Sequence, residues 1–328
     1  MSTELYLAPA AAGKTAYIIE QARQAASILT GPVRLIVPSS LQAEAVKQRL
    51  AQAGGALGVT VQLFHDLYRT GLDAAAVPYT ELPEPVRFRL LQAIVVETPL
   101  RYYASIARTP GFITLLQSRL AEFKAGHISP DQLSAAAAQL GNEPRLSELA
   151  QLYAAYQQRL TANHWTDRAG LGWLALEALT DPAGQNIFTA NHIFVDGFDN
   201  FTATQLKILA ALAGQATRLV ITLTGDPTGP ARPLAHRRFN QTRQQLETGL
   251  GVTAAPLPVT VETSRPPGLA RLERHLFEPA VEPEPADSDV TLLEAADRAA
   301  EVRAALRWLK ARIVQDGLTP TETALLAR

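Results

Sequence analysis

The sequence predicts an α/β fold: a parallel sheet interrupted by an all-helical insertion, followed by the start of a second α/β domain. Three observations predict it. Short apolar runs alternate with helical periods through about residue 70. From about Leu72 to Asp181 strand-like runs disappear and helical periodicity dominates. The α/β texture then returns at His192. Strands alternating with helices over short links are the pattern of a parallel sheet. At roughly 100–200 residues per domain, the 328 residues allow two or three domains.

Taken in order, Glu4–Leu7 reads as a strand, Ala8–Gly13 as a small-residue loop and Lys14–Leu29 as a helix that Gly31-Pro32 breaks. Val33–Val37, ended by Pro38, is a buried strand. Ser39 or Ser40 can cap the helix Leu41–Ala53, because a hydroxyl there accepts an unpaired backbone N–H. Gly58–Leu63 is a third strand, and Phe64–Tyr68 opens another helix. The insertion holds helices at Pro83–Val95, Gly111–Ala125, Gln132–Leu140, Arg145–Ala162 and Arg168–Leu179. Then come a strand at His192–Val195, a helix at Ala203–Ala213, a strand at Arg218–Leu223 and a mostly helical stretch at Arg232–Leu250. Phe277–Asp289, with three prolines and five acids, is an extended acidic linker. After it, Val290–Leu293 is expected as a strand, Ala296–Gln315 as a helix and Thr323–Leu326 as a strand. The expected domains are therefore 1–71 with 188–277, the insertion 72–187, the linker 278–289 and the beginning of a second domain at 290–328, which reads as truncated.

Composition narrows the chemistry. Apolar residues at 47% against 19% charged allow a sizeable core. Lys+Arg 30 balances Asp+Glu 31, so any basic surface is local. With no cysteine, the chain carries no disulfide, zinc–thiolate site, iron–sulfur cluster or thiol nucleophile. No signal peptide is visible and no run of about 18 apolar residues occurs, so no membrane span is expected and a cytoplasmic location is the default.

The strongest motif is Ala8-Pro9-Ala10-Ala11-Ala12-Gly13-Lys14-Thr15, which differs from the P-loop pattern GxxxxGK[ST] only at its first position. A phosphate needs successive backbone N–H groups curling around it at a helix N-terminus. Lys14 would reach the β- and γ-phosphates, and the Thr15 hydroxyl would ligate Mg²⁺. Ala8 stands where the pattern has a Gly free to take positive φ, so strain is expected there. The partner of such a loop is an apolar strand ending in an acid, and Ile193-Phe194-Val195-Asp196 fits, with Asp196 holding Mg²⁺ through water. In a helicase-type motor a Glu follows that Asp to position water; here it is Gly197, and Asp199 is at the wrong spacing. No catalytic residue is assigned.

Gly13-Lys14-Thr15, then Val37-Pro38-Ser39, then Phe64-His65, then a helical insertion and Asp196, together resemble the first motor domain of UvrD/RecB-like superfamily 1 helicases. The closer resemblance is to the AddB/RexB-type subunit of the ATP-dependent helicase–nuclease. It is carried by Phe194–Gln205, similar to a "VDGF-x-x-FTPxQ" signature. Glu122-Phe123-Lys124 with Ile128–Leu133, and Tyr153-Ala154-Ala155-Tyr156 followed by Asp167, agree with it too. The resemblance implies a RecA-like P-loop domain (1A) with a 1B-like insertion, binding ATP and Mg²⁺. It implies a role in processing DNA double-strand breaks, with DNA and an AddA-type subunit as partners and no membrane. Full-length members add a nuclease domain and iron–sulfur cysteines, which this chain lacks.

In that family the helicase-like half of this subunit is generally not the motor, and Gly197 agrees. Arg265 resembles a γ-phosphate-contacting arginine, a linker arginine being an equally good reading. Ser39, Ser40, Phe64 and His65 follow strands, where such motors grip phosphates and stack bases. Arg237 and Arg238, in a cluster with Arg232, His236 and Arg243, are further DNA candidates, or a solvated helix face. Trp165 and Trp173 read as core, and Glu122-Phe123-Lys124 as a solvated helix face. Two other functions stay open: an active superfamily 1 ATPase and helicase in which Asp199 orients water, and a decayed P-loop scaffold that binds only proteins.

Overall fold

The computed structural model describes residues 2–29, 31–141, 143–182, 186–189, 191–225, 232–258, 266–278, 282, 290–320 and 323–326. The chain divides into two units, Met1–Thr263 and Ser264–Arg328.

The first unit is built on a six-stranded parallel sheet. Its strands are β1 (Ser2–Ala8), β2 (Val33–Ile36), β3 (Val59–Gln62), β6 (His192–Val195), β7 (Arg218–Thr224) and β8 (Ala255–Pro256), in the order β3-β2-β6-β7-β1-β8. Parallel strands are covered on both faces, so side chains of both parities are apolar. Leu5, Leu7, Ile193, Val195, Leu219, Ile221 and Leu223 join one core, and Leu35, Phe194 and Val220 the other. The second core is closed by α1 (Lys14–Ser27) and α2 (Ser40–Gln52). The first is closed by α3 (Phe64–Ala74), α8 (Arg168–Thr180), α9 (Ala203–Ala213) and α10 (Arg237–Leu250).

The helices α4 (Glu84–Glu97), α5 (Pro110–Ala125), α6 (Pro130–Gln139) and α7 (Pro144–Ala162) carry a separate core, including Leu91, Ile113, Leu116, Leu152 and Tyr153. Proline at the first turn opens each of the four, where its missing N–H is not needed. Ser129 and Gln132 form a capping box at the start of α6. Trp165 and Trp173 pack against this core, as expected.

Several expectations change. The helical block holds a small parallel pair, β4 (Thr80–Glu81) with β5 (Trp165–Thr166), too short to show an alternating pattern. Helix α8 buries Leu171, Ala175 and Leu179 with the sheet and not with the insertion's helices. The Arg232–Leu250 stretch becomes helical only at Arg237. In the second unit, α11 (Pro267–His275) was not anticipated, and α12 (Arg298–Asp316) matches the expected helix. Val290–Leu293 is not a strand, and neither is Thr323–Leu326; among the described residues neither run has a neighbouring strand to complete its hydrogen bonding. Most of the acidic linker lies outside the described residues.

Candidate nucleotide site and adjoining cleft

The strand order brings the two halves of the candidate site together. The loop after β1 and the residue after β6 both lie at the carboxyl ends of parallel strands, with β7 between them. Ligands of open α/β sheets bind at such ends. Gly13 adopts φ 85° and ψ 12° and starts α1, and no side chain caps that helix end. An uncapped N-terminus presents backbone donors and a positive dipole end to an anion.

Lys14 folds back so that its Nζ donates to the carbonyls of Ala8 (3.1 Å) and Pro9 (2.7 Å). The Thr15 hydroxyl donates to Oδ2 of Asp196 at 2.6 Å. Asp196 is only 4% exposed, and its other oxygen accepts the hydroxyl of Thr222 on β7. Thr222 was missed in the sequence. Its signal is a lone hydroxyl residue within Leu219-Val220-Ile221-Thr222-Leu223.

The expected strain at Ala8 is not there. Ala8 ends β1 in extended form, buried and in register with Thr224. The left-handed residues of the loop are Ala11 (φ 54°) and Gly13. Ala11 thus carries the strain expected of Ala8, while Ala10 and Ala11 are exposed and Ala12 is buried. Gly197 adopts φ 83°, and a Cβ there would come 3.4 Å from the Gln42 amide. Asp199 is paired with Arg238 at 2.7 Å. Arg265 lies outside the described residues.

The DNA candidates divide. Ser39 is spent on capping α2, its hydroxyl accepting from the Gln42 N–H at 3.3 Å, while Ser40 is exposed. Phe64 is a correction. It is 4% exposed and packs at 75° and 83° to Phe198 and Phe201, so it serves the core and presents little ring surface for a base. His65 lines a cavity of about 430 Å³ and lies 3.2 Å from Glu81. Arg237 and Arg238 are exposed on the first turn of α10.

The same cavity holds a second correction. Lys124 is fully buried, not on a solvated face; its Nζ lies 2.9 Å from Asp167 Oδ2. Asp167 also accepts from the Tyr156 hydroxyl (3.0 Å) and the Gly170 N–H (2.6 Å), capping α8. Burial would push the Asp167 carboxyl up, but Lys124 and these donors outweigh it and hold it below its ordinary value. The carbonyl of Lys124 accepts from Trp173 Nε1 at 2.9 Å. Helices α5, α7 and α8 are thus tied by one polar knot. The sequence hid this because Lys124 and Asp167 are 43 residues apart.

Among the described residues no helix is long and apolar enough to cross a membrane, and no group of three His, Asp or Glu could hold a metal.

Residues 5–264 match the family described as "ADDB, N-terminal". Similar curated proteins are named as the B subunit of an ATP-dependent helicase/deoxyribonuclease. That of Moorella thermoacetica is 28% identical over all of this chain and 30% of its own length. That of Bacillus subtilis is 28% identical over 73% of this chain and 22% of its own length. That of Pelotomaculum thermopropionicum is 27% identical over all of this chain and 30% of its own. The chain thus spans about three-tenths or less of the length of these relatives. With the match covering residues 5–264, the chain belongs to the AddB N-terminal family.

Proposed function

We propose that this chain is the helicase-like N-terminal region of an AddB-type subunit, working with an AddA-type subunit in DNA repair and recombination in the cytoplasm. In this reading it binds ATP with Mg²⁺ and holds single-stranded DNA, and it does not translocate. The Gly13 turn and Lys14 would hold the phosphates; Thr15 and, through water, Asp196 would hold the metal. When bound, Mg²⁺ neutralises phosphate charge. The residues fit that group, because the loop bends at Ala11 and Gly13, the α1 N-terminus is uncapped and a hydroxyl already meets the buried carboxylate. The DNA path would run over Ser40 and His65 into the cleft beside α4 and α5, with Arg237 and Arg238 as further phosphate contacts.

The observation that carries the reading is the Thr15–Asp196 pair followed directly by Gly197 at φ 83°. In this reading Thr15 and Asp196 belong to the binding half of an ATPase site, and a left-handed glycine stands in the position of a water-activating Glu. Asp199 is paired with Arg238 at 2.7 Å, which supports the non-motor reading. The test is steady-state phosphate release with and without single-stranded DNA. The reading expects none above background. Release that depends on Lys14 would overturn the non-motor assignment.

A further inference from the structure

Strand register places Asp196 and Thr222 side by side. Val195 on β6 pairs with Ile221 on β7, and Asp196 and Thr222 are the residues that follow. Alternation puts both on the face of Phe194 and Val220, which α1 covers. Thr222 is 2% exposed, within the otherwise apolar run Leu219–Leu223. A valine suits such a position equally well and buries no hydroxyl, and a buried hydroxyl without a partner is costly. Here the single proton of the hydroxyl is donated to Asp196 Oδ1.

An aspartate carboxylate turns readily about its Cβ–Cγ bond, because that torsion is broad. The Thr15 hydroxyl on Oδ2 holds only one of the two oxygens. With Thr222 on Oδ1 both are held, and the plane of the carboxylate is set. Each oxygen accepts one of these bonds and keeps a further lone pair for a metal-bound water. We propose that Thr222 is a positioning residue of the candidate metal site, acting through Asp196 on Mg²⁺-dependent nucleotide binding. The proposal rests on the nucleotide-site reading above. It adds a residue and a division of labour: the Gly13 turn and Lys14 carry the part of ATP binding that needs no metal, and Thr222 acts only on the part that does.

The experiment is titration calorimetry with the full 328-residue chain. ATP is added in EDTA and, separately, in excess Mg²⁺, to the unaltered chain and to Thr222→Val, Thr222→Ala and Thr222→Ser. Groups that orient a metal's ligands are worth about 10–100-fold in metal affinity. Thr222→Val and Thr222→Ala are each expected to weaken Mg·ATP binding about tenfold and to leave binding in EDTA within about twofold of the unaltered chain. Thr222→Ser, which restores the donor, is expected to recover Mg·ATP binding. Thermal melts without ligand establish that each variant folds, and Thr222→Ala removes the hydroxyl without crowding the strand, so the test does not hang on one variant. Undiminished Mg·ATP binding by the folded Val and Ala variants overturns the proposal. Equal weakening with and without Mg²⁺, or no recovery in Thr222→Ser, also overturns it and leaves Thr222 a packing residue. In those outcomes the unaltered chain still binds Mg·ATP and the nucleotide reading stands. No binding by the unaltered chain in either buffer overturns the nucleotide reading and this proposal with it.

Discussion

The Thr15 hydroxyl donates to Asp196 Oδ2 at 2.6 Å, joining the first turn of α1 to the end of β6 across 181 residues. Strand order makes this possible, since β7 alone separates β1 from β6 and its Thr222 holds the second oxygen of the carboxylate. Asp196 is therefore oriented from two sides before any ligand arrives. Thr15→Ala should keep the fold, removing a bond worth about 1 kcal/mol. It should also remove the Mg²⁺-dependent part of ATP binding. Titration calorimetry with ATP, with and without Mg²⁺, checks this; an unchanged Mg²⁺ dependence would remove Thr15 from the metal site.

Lys124 and Asp167 are an ion pair with side-chain exposures of 0% and 6%. Removing one partner strands the other charge in the interior. Lys124→Met should cost about 3–5 kcal/mol in urea unfolding. Lys124→Met with Asp167→Leu should cost less than the sum of the singles, because neither charge is then left unpaired. The double variant still loses the α8 cap, worth about 1 kcal/mol. Additive losses would show that the two side chains do not act as a pair.

Glu148 on α7 accepts the backbone N–H groups of Arg101 (2.7 Å), Tyr102 (2.7 Å) and Tyr103 (3.1 Å). Burial alone would raise its pKa, but the three donors outweigh that and hold it low. A carboxyl lowered by folding contributes stability above its unfolded value of about 4.3, lost as pH falls through the folded value. Glu148→Gln should cost about 2 kcal/mol at pH 7. The gap to the unaltered chain should close below about pH 4. Urea midpoints across that range test it, and a gap independent of pH would contradict it.

Gly197 at φ 83° is where a helicase motor would carry its water-activating Glu. Gly197→Glu should not create an ATPase. It should cost roughly 1–2 kcal/mol, because an L-residue is strained in the left-handed region, and its Cβ would press on the Gln42 amide. Phosphate release and a thermal melt measure both effects. A hydrolysing variant would mean that only the missing carboxylate separates this chain from a motor.

The layered fold was legible because parallel strands buried on both faces read as short apolar runs, as at Ile193-Phe194-Val195, and because helix caps leave local marks such as Thr202 with Gln205. The meeting of Thr15 with Asp196 was legible because both residues have fixed offsets from strand ends. Contacts made at long range were not. Lys124 looked solvated because its partner lies on another helix. Phe64 erred the other way: an aromatic after a strand suggests a stacking surface, but the ring is buried against Phe198 and Phe201.

In the proposed function the Ala8–Thr15 loop binds nucleotide despite its missing first glycine. A thermal-shift titration of the chain and of Lys14→Ala with Mg·ATP tests it most directly. At a ligand concentration near 100 times Kd, about 2.7 kcal/mol of stabilisation should raise the melting temperature by roughly 5–10 °C. A saturable rise is expected in the unaltered chain, and its loss in the variant. A rise that survives Lys14→Ala, or no rise at millimolar nucleotide, would contradict it.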